Sequence, residues 1–414
     1  MRMVLSGVLA AIVAATVSGR PEAFPRWDDE ATSPVPSAVA TPSQSAIAAS
    51  PVLALISGTL IDGTGRPPIP DAVVIVRGDR IDKVGPRGSV RIPAGATVID
   101  MGGGTILPGF INAHVHDAFS ERNLEAWAQA GVTTVRDEGI ISSRPLPELL
   151  ALRDRLAADP RYARLVSAGR MIAPPNGYGL LFVVSPAQAQ KAVEDEIASG
   201  VDLIKFSIED GYGRRNDLPL PEPASVAAIV AAAHKGGRLV SAHVTEAAFL
   251  KQAVDAGADD VGHMAWDPVD QDTIAKMVAR QTYVTPTITV LDAYGAADGA
   301  LDNLRRFDMA GVKIALGNDY TDVPQNNFRH FELGMPMHEM SRMVDAGMTP
   351  MSIIVAATKH AAHVCQLDRT LGTVEPGKLA DLLVIGGDPI RDLKALTAVR
   401  LVVHAGVVIR DSRH

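Results

Sequence analysis

Between Gly109 and Cys365 short apolar runs alternate with stretches of helical period. Runs of this kind, apolar at nearly every position, suit strands buried on both faces of a parallel sheet. Eight such runs are legible, at residues 109–116, 132–137, 164–168, 201–207, 238–244, 259–264, 282–286 and 312–319. Helical segments lie between them, among them 187–199, 223–234, 247–256 and 272–280. Gly131, Gly200, Gly237, Gly257 and Gly311 stand just before the next strand, where a helix end favours glycine. Eight strands with crossover helices predict an α/β fold, a (β/α)8 barrel over 109–365, with its chemistry at the C-terminal strand ends.

The flanks read differently. Residues 52–104 show short strands and turns, and 372–385 and 399–409 return to that pattern without helices between them. The economical expectation is one small β-sandwich built from both ends, 51–108 and 366–414. Ahead of it, residues 1–23 look like a secretory signal: Arg2, an apolar run from Met3 to Val17, then Ser18 and Gly19. That run is shorter than a membrane-spanning helix needs, and no cysteine stands near it for a lipid anchor. Residues 24–50, rich in Pro, Ser, Ala and Thr, read as a flexible linker. The expectation is a periplasmic or secreted protein with no stable membrane anchor.

Composition narrows the partners. A formal net charge of −8 argues against nucleic acid and anionic membrane surfaces. The single cysteine, Cys365, excludes an internal disulfide and reads as a buried small hydrophobe. Neither substrate identity nor oligomeric state follows from the sequence, and a homo-oligomer stays open.

The chemistry lies at the strand ends. His114 and His116 are two residues apart, so both imidazoles leave one side of a strand. Alone that step is common. Strand 4 adds Lys205 inside an apolar run, strand 5 ends at His243, strand 6 at His263 and strand 8 at Asp319. Six ionisable groups at one rim are hard to explain as packing, and a shared metal centre accounts for all of them. Four imidazoles and a carboxylate suit zinc, with cobalt, manganese or nickel as alternatives. The set is large for one cation, so two divalent metals are expected. Lys205 fits only with its charge reversed, as a carbamate formed with carbon dioxide that bridges the two. Such a pair activates a water or hydroxide and polarises a carbonyl, while Asp319 shuttles the proton.

At this point the chain resembles the amidohydrolase superfamily with a carbamylated lysine. The residues that carry the likeness are the six above and several runs: Ser57-Gly-Thr-Leu-Ile-Asp-Gly-Thr-Gly, Leu107-Pro-Gly-Phe-Ile-Asn-Ala-His-Val-His, Gly131-Val-Thr-Thr-Val-Arg-Asp and Gly372-Thr-Val-Glu-Pro-Gly-Lys-Leu-Ala-Asp-Leu-Leu-Val. It is similar to the imidazolonepropionase-like branch, which includes Xaa-Pro and Xaa-Arg/Lys dipeptidases and ochratoxinase-type amidases. The likeness runs from about 52 to 410. It implies a barrel with a split β-sandwich and hydrolysis of an amide, imide or ester-like bond. By the same likeness His114, His116 and Asp319 hold one metal, His243 and His263 the other, with Lys205 bridging them and a metal-bridging hydroxide as the nucleophile.

Departures bear on the substrate. Imidazolonepropionase itself is read as a single-metal enzyme without the bridging lysine, so Lys205 argues against that activity. Glu138 stands where an apolar residue is expected, as a local cap or a group facing the pocket. Tyr178, Tyr212, Arg214, Arg215 and His330, on the loops after strands 3, 4 and 8, are candidates to hold a substrate carboxylate. His360 and His363 are expected to pack or cap. The expected substrate is a small molecule with a peptide-like or N-acyl amino acid amide. The rivals are a mononuclear deaminase using His243 and Glu246, a cyclic amide or lactone hydrolase, and a binding protein that has lost catalysis.

Overall fold

In this computed structural model the described residues are 51–211, 217–322 and 330–413. The expected signal 1–23, the linker 24–50, Tyr212, Arg214 and Arg215 lie outside them.

The chain opens with β1 (Val52–Leu60), β2 (Ile69–Arg77), β3 (Arg80–Pro86), β4 (Thr97–Asp100) and β5 (Thr105–Pro108). The barrel follows, with β6 (Phe110–Val115), β7 (Val132–Asp137) and β8 (Arg164–Ser167). Two short strands, β9 (Ile172–Ala173) and β10 (Leu181–Phe182), lie in the next connection. Then come β11 (Ile204–Ser207), β12 (Val240–His243), β13 (Asp260–Gly262), β14 (Tyr283–Val284) and β15 (Lys313–Ile314). The chain closes with β16 (Leu382–Ile385), β17 (Val399–His404) and β18 (Val407–Asp411).

Both ends of the chain share one eight-stranded sheet, in the order β18-β17-β16-β5-β1-β2-β3 with β4 on β1. The join is β5 against β16, antiparallel, with Leu107 opposite Leu383. Alternation of side chains divides the work of these strands. Leu382, Val384, Leu401 and Val403 face the sheet's own core with Leu55, Val74 and Ile106. Leu107, Leu383, Ile385 and Val402 face the other way and join the barrel core with Trp127, Ala128 and Leu124. The sandwich anticipated from the sequence is hydrogen-bonded as a single sheet.

The barrel strands form two parallel ladders, β6-β7-β8 and β10-β9-β11-β12-β13-β14-β15. Backbone hydrogen bonds link the ladders at both seams. Asp202 N donates to Ser167 O at 2.8 Å between β8 and β11. Ala113 N donates to Leu316 O, Asp319 N to His114 O and His116 N to Tyr320 O, at 2.7, 2.9 and 2.7 Å. The fold is therefore the α/β barrel with a small β part. Among the described residues no helix is long and apolar enough to cross a membrane.

Helix ends follow the sequence signals. Ser120, Ser185 and Asp270 cap their helices by accepting from Asn123 N, Gln188 N and Thr273 N. Gly200, Gly257 and Gly311 close helices in the left-handed region that other residues reach only with strain. Strands 7 and 8 are much shorter than 282–286 and 312–319. Beyond these short ladders Thr287 and Asp319 adopt φ of 47° and 55°, in the left-handed region. Cys365 is buried, and burial pushes its thiol up to about 12.

Candidate metal centre

His114 lies in β6 and His116 one residue past its end, and their rings sit 5.6 Å apart. Two glycines make room for the first. A Cβ on Gly262 would meet His114 Nδ1 at 2.7 Å, and one on Gly317 would meet His114 Cβ at 2.6 Å. Asp319, in its left-handed backbone, presents Oδ1 3.2 Å from Nε2 of both His114 and His116. That oxygen is buried and has no well-aligned hydrogen bond. Donor atoms about 2.0–2.2 Å from one tetrahedral zinc are held about 3.3–3.5 Å apart. The spacing thus fits a shared cation better than a hydrogen-bonded triad.

His243 ends β12 and His263 follows β13, with His263 Nε2 3.0 Å from His243 Nδ1. Outer partners fix which nitrogens carry protons. Thr287 Oγ1 donates to Pro286 O, so it accepts from His263 Nδ1 at 2.5 Å. Glu209 Oε2 lies 3.4 Å from His243 Nε2, and Glu209 also accepts from Thr245 Oγ1 and Gly211 N. Gly139 O accepts from His116 Nδ1 at 2.9 Å. His116 therefore turns Nε2 inward, and with Nδ1 donating to Thr287, His263 accepts at Nε2 from His243 Nδ1 at 3.0 Å.

Charge states follow from burial and neighbours. Burial and the Lys205 charge push His114 down to about 4, against the pull of Asp319. Burial also lowers His243 and takes His263 well below the usual imidazole range. These three are neutral at neutral pH, the form that binds metal. His116 is the exception: burial lowers it, but the close carboxylate of Asp319 and the charge of Asp137 raise it to about 9. Burial raises Asp319, yet His114 and His263 hold it well below the carboxylate range.

Lys205 is buried beside this cluster and has a partner the sequence did not show. Its Nζ donates to Glu138 Oε2 at 2.6 Å and to Ser241 Oγ at 3.3 Å. Ser241 Oγ donates to the same Glu138 oxygen at 2.7 Å. Glu138 Oε1 lies 2.8 Å from Arg136 Nε, and Arg136 also pairs with Asp260. Burial pushes Glu138 up, but Arg136 and Lys205 together hold it well below the carboxylate range. The position read as a cap or pocket residue is thus the centre of a buried ion network.

Among the described residues, His114, His116 and Asp319 form the one group with metal-ligand spacing. The Tyr178 ring lies tilted against His243, with ring centres 4.4 Å apart. His330 stacks on His338 at 3.9 Å. His360 and His363 lie against Tyr283 instead, with His363 stacked at 4.6 Å. Glu246 opens its helix and its side chain makes no capping hydrogen bond. Sequence reading missed Glu209, Thr287 and the network partners of Glu138. Only the acidic residue right after strand 4 hinted at the first of these.

The model of the amidohydrolase family matches residues 105–409. The chain belongs to the amidohydrolase family. An imidazolonepropionase of Deinococcus radiodurans is 27% identical over 372 residues, covering 78% of this chain and 88% of that protein. An adenine deaminase of Rubrobacter xylanophilus is 24% identical over 384 residues, covering 87% of this chain, which spans only 57% of that amidohydrolase relative's length. A solved Xaa-Pro dipeptidase with bound methionine superposes with a TM-score of 0.74 at 25% identity, covering 86% of this chain and 99% of its own.

Proposed function

We propose that the chain is a divalent-metal-dependent hydrolase that cleaves an amide C–N bond in a small peptide-like or N-acyl amino acid substrate. The observation that carries this reading is Asp319 Oδ1 standing 3.2 Å from two imidazole nitrogens at the C-terminal end of the barrel. The N and O donor set suits zinc. When bound there, the cation supplies Lewis-acid activation of water and of the scissile carbonyl.

The chain's own residues supply the rest. Asp319 accepts a proton from the attacking water and returns it to the leaving nitrogen. His243 and His263, hydrogen-bonded to each other at 3.0 Å and held by Glu209 and Thr287, face the reacting groups. Tyr178, packed against His243, walls one side and orders the substrate. The relatives named as an imidazolonepropionase, an adenine deaminase and a dipeptidase support C–N hydrolysis as the shared class. Export through the apolar segment 3–17 completes the proposal.

Screening zinc-loaded protein against dipeptides, N-acyl amino acids, lactones and hydantoin-like rings tests it, with products followed by mass. Turnover of an amide that chelator abolishes and zinc or manganese restores is the expected result. Ammonia release from a purine alone would move the assignment to a deaminase, and chelator-insensitive turnover would remove the metal.

A further inference from the structure

His114, His116 and Asp319 come from two segments of chain only. The histidines stand at the end of β6, and Asp319 lies past the end of β15. The spacing of the three is therefore set across a single seam of the barrel. Backbone bonds cross that seam from Ala113 N to Leu316 O, from Asp319 N to His114 O and from His116 N to Tyr320 O. Among the described residues no backbone-to-backbone bond crosses it beyond His116.

There a side chain takes over. Asp117 Oδ2 accepts from Thr321 Oγ1 at 2.8 Å and from Asp322 N at 2.9 Å. We infer that Asp117 is a positioning residue of the metal centre: its carboxylate clamps the chain after Asp319 to the chain after His116, and so fixes where Asp319 stands against the two imidazoles. This rests on the metal reading above and adds what holds that site in shape.

The clamp is anchored in the interior. Asn123, buried in the helix Glu121–Gln129, donates from Nδ2 to Asp117 O at 3.2 Å and to Asp322 Oδ2 at 3.1 Å. Asp322 Oδ1 in turn accepts from the Tyr320 hydroxyl at 2.7 Å. Asp117 itself has φ of 54°, in the left-handed region that Asp and Asn reach more readily than most residues with a side chain.

Slack in this clamp has a short path to the ligands. Asp117 follows His116 directly, and only Tyr320 separates Asp319 from Thr321. Asp319 Oδ1 stands 3.2 Å from Nε2 of both histidines. Metal-to-donor distances tolerate only about 0.2 Å of error, and a working site is held to within about 0.5 Å. A small slip between the two segments is therefore enough to weaken the centre.

The test reads the metal without turnover. Zinc affinity is measured by competition with a chelating dye, and cobalt(II) at saturation gives a visible spectrum that reports ligand geometry. Asp117→Gly accepts the left-handed backbone but removes the acceptor. It should bind zinc roughly 10- to 100-fold more weakly, the usual cost of losing a partner outside the ligand set, and should shift the cobalt bands. Asp117→Asn keeps an acceptor oxygen and tolerates the same backbone. It should stay within about threefold of the parent, because a partly exposed charge is screened by water and salt. An Asp117→Gly that matches the parent in affinity and spectrum would overturn the clamp. So would an Asp117→Asn that falls as far as Asp117→Gly, since charge and not hydrogen bonding would then be at work. Should Asp117→Gly not fold, Thr321→Val removes one of the two bonds and leaves Asp117 in place. It should bind zinc roughly tenfold more weakly, and parental affinity there would equally overturn the clamp. A parent that takes up neither zinc nor cobalt would defeat the metal reading itself.

Discussion

The carboxylate of Asp319 sits 3.2 Å from Nε2 of His116, and this contact couples cation uptake to proton release. Asp319 holds His116 up at about 9, so at pH 7.5 its inward nitrogen carries a proton. A cation needs that nitrogen bare. Zinc binding near pH 7.5 should release close to one proton from this residue. Affinity should rise by up to about tenfold per pH unit and level off above about pH 9. Calorimetry in two buffers of different ionisation enthalpy reads the proton count directly. A count near zero would mean that His116 is already neutral.

Asp319→Asn separates the two roles of that carboxylate. The amide matches the shape but carries no charge and makes a poor proton acceptor. Turnover should fall by roughly 10²-fold or more, as for loss of a general base. With the anion gone, His116 should drop toward its ordinary value, so the proton release seen in the parent at pH 7.5 should largely vanish. Metal content must be measured alongside, because zinc should bind more weakly. Near-normal turnover at full metal loading would remove Asp319 from the proposed mechanism.

Much of this was legible because parallel strands buried on both faces must be apolar throughout, so a histidine or aspartate at the end of such a run stands out. That is how His114, His116, His243, His263 and Asp319 come into view. What sets their states was not legible. Glu138 reaches Lys205 across 67 residues, and Glu209 reaches Thr245 across 36. Such pairs obey no local period, since barrel closure alone brings them together. The seventh and eighth barrel strands, β14 and β15, are shorter than the apolar runs that predicted them, and the left-handed turns at Thr287 and Asp319 lie past their ends.

Gly317 is a packing requirement of the centre. A Cβ there would meet Thr285 Cγ2 at 2.5 Å and the Cβ and backbone N of His114 at 2.6 and 2.8 Å. Because β6 is hydrogen-bonded on both sides, His114 has little room to retreat. Gly317→Ala should cost about 1–3 kcal/mol, in the range of core overpacking, and should lower zinc occupancy. Gly88→Ala, with nothing within 4 Å of the added carbon, is the control and should change neither. Thermal unfolding and metal analysis of both variants decide. Full zinc and an unchanged melting point in Gly317→Ala would show that the barrel yields where the packing says it does not.

Glu339 supports the site from behind. Its carboxylate accepts from Ile288 N at 2.9 Å and from Thr289 N and Oγ1 at 2.8 and 2.7 Å, pinning the start of the helix Ile288–Tyr294. The residue just before that helix is Thr287, whose hydroxyl orients His263. Burial raises Glu339 to about 7, above its ordinary 4.5, despite those three donors. A raised folded value means a contribution to stability that is fully present below about pH 4.5 and lost as pH rises through about 7. The shift corresponds to an upper limit of about 3 kcal/mol. Glu339→Gln removes the titration and keeps an acceptor oxygen. In urea unfolding, the parent should therefore lose ground to this variant as pH rises from 5 to 8, while groups common to both cancel in the difference. Glu339→Ala, which strands two buried N–H groups and a hydroxyl, should be less stable than the parent throughout, by about 1–3 kcal/mol per orphaned group. A parent-minus-Gln difference that stays flat across this range would mean that Glu339 remains ionised there and that its three donors outweigh burial.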